Sequence, residues 1–166
     1  MTPEPRRGVT RGYVGGLVGA AIITAAALLV AAWGGLALAL NRDPVESGGV
    51  GAWVAPVILA TGLGILGFTL WRQALTLLRG RRGPAWSSIV TVAVGSYLWW
   101  SLLGMLGGMS LGETWLSPFA ATLPAIWAIA ALLFWAVLAR RVYTDRAAPQ
   151  WPWERNERDG RDEGGE

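Results

Sequence analysis

Charge is absent from four long stretches of this chain: residues 12–41, 47–71, 83–112 and 114–139, which are 30, 25, 30 and 26 residues long. A bilayer core about 30 Å thick is crossed by roughly 20 apolar helical residues. Each stretch is long enough to cross once, and none is long enough to cross twice. Charged residues make up 15% of the chain, where soluble domains carry about 25%. The sequence therefore predicts an all-α membrane protein, an antiparallel bundle of four transmembrane helices with a disordered C-terminal tail.

The division is an N-terminal arm (1–11), a transmembrane domain (12–142) and a tail (143–166). The spans fall at about 13–40, 50–71, 85–108 and 118–140. The first follows a basic arm, but its apolar run is about twice the 7–15 residues of a signal-peptide core. It reads as a retained helix, although Ala37-Leu38-Ala39 resembles a cleavage triplet. Asp43-Pro44 and Gly48-Gly49 punctuate the first loop. The second helix is expected to continue beyond Trp71 into water as RQALTLLR, and RGRRGP (79–84) to turn tightly into the third span. Residues 109–117 form a short loop whose one charge is Glu113. Ser117-Pro118 has the form of a helix start, with a serine cap and proline at the first helical position. The tail is charged, poor in aliphatics and glycine-rich at its end, which predicts disorder.

All 14 basic residues are arginines, and their placement orients the chain. Three lie in the arm, four at 72–82 and six from Arg140 onward; the alternate loops hold only Arg42. Loops rich in Arg and Lys face the cytoplasm, so both termini are expected there, in a multi-pass protein of a cell membrane. Arginine without lysine in an alanine- and glycine-rich chain suggests a GC-rich genome and hence a bacterial plasma membrane. The net charge of +3 does not indicate nucleic-acid binding, because the arginines flank apolar spans.

The chain has no cysteine and no histidine. Disulfides, thiolate nucleophiles, histidine-ligated haem and a Ser-His-Asp triad are thereby excluded. No metal or cofactor is expected. The spans hold no ionisable group between their boundary residues, so proton-coupled transport and intramembrane catalysis lack their usual acid or base.

Gly104, Gly108 and Gly112 recur every four residues, and Ser87, Thr91, Ser101, Gly108 and Gly112 share an arc of about 100° on an ideal helix. Gly15 and Gly19 form a second such pair, and Ala60 and Gly64 a third. Small residues allow close helix approach, either within the bundle, the simpler reading, or against a second copy or larger partner. Trp53, Trp71, Trp86 and Trp115 fall at span ends, where indoles anchor at the headgroups. Tyr97, Trp99, Trp100 and Trp127 fall instead near the expected midplane. They are read as packing, with a pocket for a lipid or quinone as the sharper alternative. Tyr97 and Trp100 share a helical face, and Trp99 points elsewhere. In the tail, Trp151 and Trp153, together with Arg140 and Arg141, are candidate contacts for a partner or for membrane lipid.

These features point to a small non-enzymatic membrane protein, an accessory, assembly or scaffold subunit. A transport or permeation component is the alternative, and an apolar-ligand binder a third.

Overall fold

The computed structural model describes residues 11–78 and 86–143. The N-terminal arm, the 79–84 connector and the tail with Trp151 and Trp153 lie outside the described residues, as does the side chain of Arg141. Five helices follow in order: α1 (Arg11–Leu40), α2 (Val54–Leu78), α3 (Trp86–Leu106), the single turn α4 (Leu111–Thr114) and α5 (Pro118–Tyr143). Helices α1, α2, α3 and α5 are long and apolar enough to cross a membrane. The chain is a four-helix membrane bundle. One end, the loop end, carries residues 41–53 and 107–117. The other, the terminal end, carries the start of α1 and the close of α5.

The helix boundaries follow local chemistry. Asn41 adopts a left-handed φ of 49°, and the N–H of Arg42 reaches back to the carbonyl of Ala37, which closes α1 in a Schellman turn. At the end of α3 Gly108 plays the same part with φ 89°, while Met109 donates to Gly104. Pro56 sits in the first turn of α2, where its missing N–H costs nothing. Helix α5 opens at Pro118, and the Ser117 hydroxyl accepts from the N–H of Phe119 at 3.2 Å.

Helix α5 packs on α1 and α3, α2 packs on α1 and α3, and α2 also meets α5 across the bundle; α1 and α3 make no direct backbone approach. Side chains fill that diagonal. Trp33 of α1 meets Trp100 of α3 edge to face at 5.0 Å and Phe119 of α5 at 5.9 Å. The Trp33 indole donates to the Phe119 carbonyl and to the Thr122 hydroxyl, each at 3.1 Å. These bonds stitch α1 to α5 in the turn before Pro124, where the missing proline N–H weakens the helical ladder.

Helix α2 continues beyond Trp71 to Leu78. One side of this extension stays packed: Gln73 and Ala74 are buried, while Arg72, Leu75 and Thr76 are exposed. The Gln73 side-chain N–H2 finds no hydrogen-bond partner among the described residues, which costs about 1–3 kcal/mol. Residues 109–117, expected as a short loop, contain the helical turn α4, and Met109, Glu113, Thr114 and Ser117 are buried.

Candidate functional site

Helix α3 presents two working faces. Tyr97, Trp100, Ser101 and Gly104 fall within about 100° of arc on an ideal helix. Against them lies the connection from α3 to α5, folded back along the helix it has just left. Three side chains donate to three consecutive carbonyls of this connection. Trp100 donates its indole N–H to Glu113 at 3.3 Å, Ser101 its hydroxyl to Thr114 at 3.2 Å, and Tyr97 its hydroxyl to Trp115 at 2.6 Å. Tyr97 lies nine residues before the end of α3, roughly 14 Å along the axis at 1.5 Å per residue. Backbone outside the spanning helices is tolerated at such a depth only when protein satisfies its polar groups, and these donors satisfy three of its carbonyls.

Gly104 makes the close approach possible. A Cβ there would stand 2.6 Å from the Thr114 methyl and 3.0 Å from the Met109 sulfur. The expected glycine stripe therefore does not exist as one face. Gly104 receives the folded-back connection, Gly108 is the left-handed residue ending α3, and Gly112 belongs to α4. The reason is that α3 ends at Leu106, before the four-residue spacing can continue. Gly15 packs against Trp71, whereas a Cβ at Gly19 would meet nothing within 4 Å.

The connection is pinned from its other side by Glu113, whose side chain is only 4% exposed. Its carboxylate accepts from the backbone N–H groups of Glu46 and Ser47, from the Ser47 hydroxyl, and from the N–H and hydroxyl of Ser110, at 2.5–2.9 Å. An ionised carboxylate is an acceptor with about four lone-pair sites, and this one is saturated. Glu113 thus clasps residues 46–47, which follow α1, to the connection that precedes α5. Sequence reasoning noted this glutamate only as a loop charge. The pattern Ser110-x-x-Glu113 is a capping-box signature and was the available signal.

The opposite face of α3, with Thr91, Val92, Gly95, Ser96 and Trp99, looks toward α2. Together with Gly62, Ile65, Leu66 and Thr69 of α2 and Trp127 of α5, it lines a groove of about 230 Å³. Leu66, Val92, Ser96 and Trp127 form a buried floor, while Ile65, Thr91 and Gly95 are an exposed rim. The hydroxyls of Thr69 and Ser96 are turned back onto the carbonyls of Ile65 and Ala93, so the lining is effectively hydrocarbon. Trp99 closes the groove toward the loop end, its indole N–H bonded to the Ile58 carbonyl at 3.1 Å and to the Thr61 hydroxyl at 3.2 Å. Beyond it remains a pit of about 10 Å³, at the limit of a single water.

Of the four aromatics expected near the midplane, Tyr97 bonds the folded-back connection and Trp99 and Trp127 line the groove. Trp100 bonds the connection and also lines the small pit with Trp99 and Trp127. Arg140 is exposed near the end of α5. Trp33, Ser47, Ser110 and Thr114 carry no role in the sequence analysis, and Ser101 enters it only as a member of the small-residue arc. The roles of Trp33 and Ser47 depend on pairings between distant segments, 86 residues apart for Trp33 and Phe119 and 66 for Ser47 and Glu113. Among the described residues no cluster of acidic residues, histidines or cysteines could hold a metal ion.

The sequence matches a family described as a family of unknown function (DUF6121) over residues 11–161. No curated protein and no solved structure matches it.

Proposed function

The chain belongs to the DUF6121 family, and from its own residues we propose that it is a non-enzymatic accessory, assembly or scaffold subunit of a bacterial plasma-membrane complex. One observation carries this reading: the polar groups buried near the loop end are spent on holding shape. Glu113 is saturated by five donors, and Tyr97, Trp100 and Ser101 are committed to carbonyls. A carboxylate so engaged is poorly placed to carry protons or to act as a base. The result is a braced platform at one end. Arg72 and Arg140 are exposed toward the other end, and in this reading that end, with the tail that carries Trp151 and Trp153, is the surface for a partner. In this reading both termini are cytoplasmic and the braced end faces outward.

The test is purification from native membranes in mild detergent, comparing the full chain with one ending at Tyr143. The expected result is a stoichiometric partner held by the full chain and lost on truncation, with bundle stability unchanged. A homo-oligomer that passes ions in liposomes would instead support the permeation reading. Orientation is checked in the same strains. Gly48 is exposed with open space around it, so Gly48→Cys should react with an impermeant thiol reagent in intact cells, whereas Thr2→Cys and Gly160→Cys should not. Ser47 is unsuitable for labelling because it is bound to Glu113.

A further inference from the structure

The groove between α2 and α3 opens sideways between two transmembrane helices, toward the space that lipid tails occupy. Its lining is hydrocarbon, and its volume of about 230 Å³ lies below the roughly 300–1,000 Å³ of sites that enclose a whole small ligand. It suits a chain that enters from one side and leaves the rest of its molecule outside. The side chains beyond its end then decide what the molecule is. On α2, Ile65 and Thr69 line the groove, and Arg72 follows at i+7 and i+3, on the same side of the helix and one turn nearer the terminal end. Arg72 is exposed, with its guanidinium 6.0 Å from the Phe68 ring centroid. On α3, Ser88 lies one turn nearer the terminal end than Thr91 and Val92, on the groove side of the helix. Toward the loop end Trp99 shuts the groove. An apolar cleft is therefore closed at one end and continued by a cation and a hydroxyl at the other.

We propose that this groove is a binding site for one acyl chain of an anionic glycerophospholipid of the leaflet at the terminal end, with the lipid phosphate at Arg72 and Ser88. The polarity fits a lipid standing in its own leaflet, with its tail pointing toward the bilayer centre and Trp99. A quinone, which is neutral, would use the cleft but not the arginine.

The test uses the full chain reconstituted in phosphatidylcholine vesicles that contain a small share of phosphatidylglycerol bearing a diazirine on one acyl chain. A second preparation carries the same diazirine on phosphatidylcholine. Photolabelled peptides are mapped by mass spectrometry. With phosphatidylglycerol, labelling is expected to concentrate on residues 62–69 and 91–99. A Cβ at Gly95 meets nothing within 4 Å, so Gly95→Leu fills the groove without displacing its walls. It should reduce labelling there to the level of the remaining lipid-facing surface. Gly64 is equally open but points about 200° away from Gly62 around α2, so Gly64→Leu should leave labelling intact. Arg72→Gln is at an exposed position and should lower the preference for phosphatidylglycerol about fivefold, the equivalent of about 1 kcal/mol for one juxtamembrane arginine. Labelling spread evenly over the exposed faces of all four helices would overturn the site, as would labelling indifferent to Gly95→Leu. Equal labelling by the two lipids in the wild-type chain would overturn the anionic assignment.

Discussion

Trp100→Ala is expected to destabilise the bundle by about 3–5 kcal/mol, the range for truncating a fully buried tryptophan. Trp100 has no exposed surface. It fills the space between α1 and the folded-back connection, with the Trp33 ring 5.0 Å away and the Glu113 carbonyl accepting its N–H. Truncation leaves a closed cavity and an unpaired carbonyl in the same place. Trp99→Ala should cost about 1–2 kcal/mol, little more than its hydrogen bond, because Trp99 is only partly buried and already borders an open groove. Tyr97→Phe should cost about 1 kcal/mol through loss of the bond to the Trp115 carbonyl. Thermal or denaturant unfolding in detergent ranks the three. A larger effect for Trp99→Ala than for Trp100→Ala would mean that α3 is rotated about its axis relative to this packing.

That ranking could be approached from the sequence because helical periodicity is a local property. Tyr97 and Trp100 are three residues apart and share a face whatever surrounds them. The same holds for the four spans, whose signal is the absence of charge over a fixed length, and for Ser117-Pro118, whose chemistry is that of a helix start. What could not be read is where that face points. The centres of the uncharged runs 83–112 and 114–139 place Tyr97, Trp99, Trp100 and Trp127 near the midplane, but they carry no information on how residues 109–117 pack. Those residues fold back because Gly104 admits the Thr114 methyl and because three donors on α3 match three carbonyls. No local pattern records such a match. Likewise the four-residue spacing of Gly104, Gly108 and Gly112 is a packing stripe only if the helix continues. A left-handed Gly108 ends it.

Glu113→Gln is expected to cost about 2–4 kcal/mol and to release residues 46–47 from the α3–α5 connection. One carboxylate oxygen takes the N–H groups of Glu46 and Ser47, and the other takes the Ser110 N–H and the hydroxyls of Ser47 and Ser110. Glutamine offers one acceptor oxygen and an N–H2 group. If the oxygen faces residues 46–47, the N–H2 confronts the Ser110 N–H, although the two hydroxyls can rotate to accept from it. If the amide is turned over, two backbone N–H groups lose their acceptor. Each buried donor left unpaired costs about 1–3 kcal/mol, so neither rotamer is neutral. Glu113→Asp keeps the charge but is one methylene shorter, so it should hold one side of the clasp and cost less than the glutamine. Hydrogen exchange separates this local effect from a global one. In Glu113→Gln the amides of Glu46 and Ser47 should lose roughly two decades of protection, the equivalent of about 3 kcal/mol. The amides of α5 around Ala130 and Phe134 should change only by the fall in global stability. If those two loop amides exchange at the same rate in both chains, Glu113 does not tie the two loops of this end together, and the braced platform on which the scaffold reading rests is lost with it.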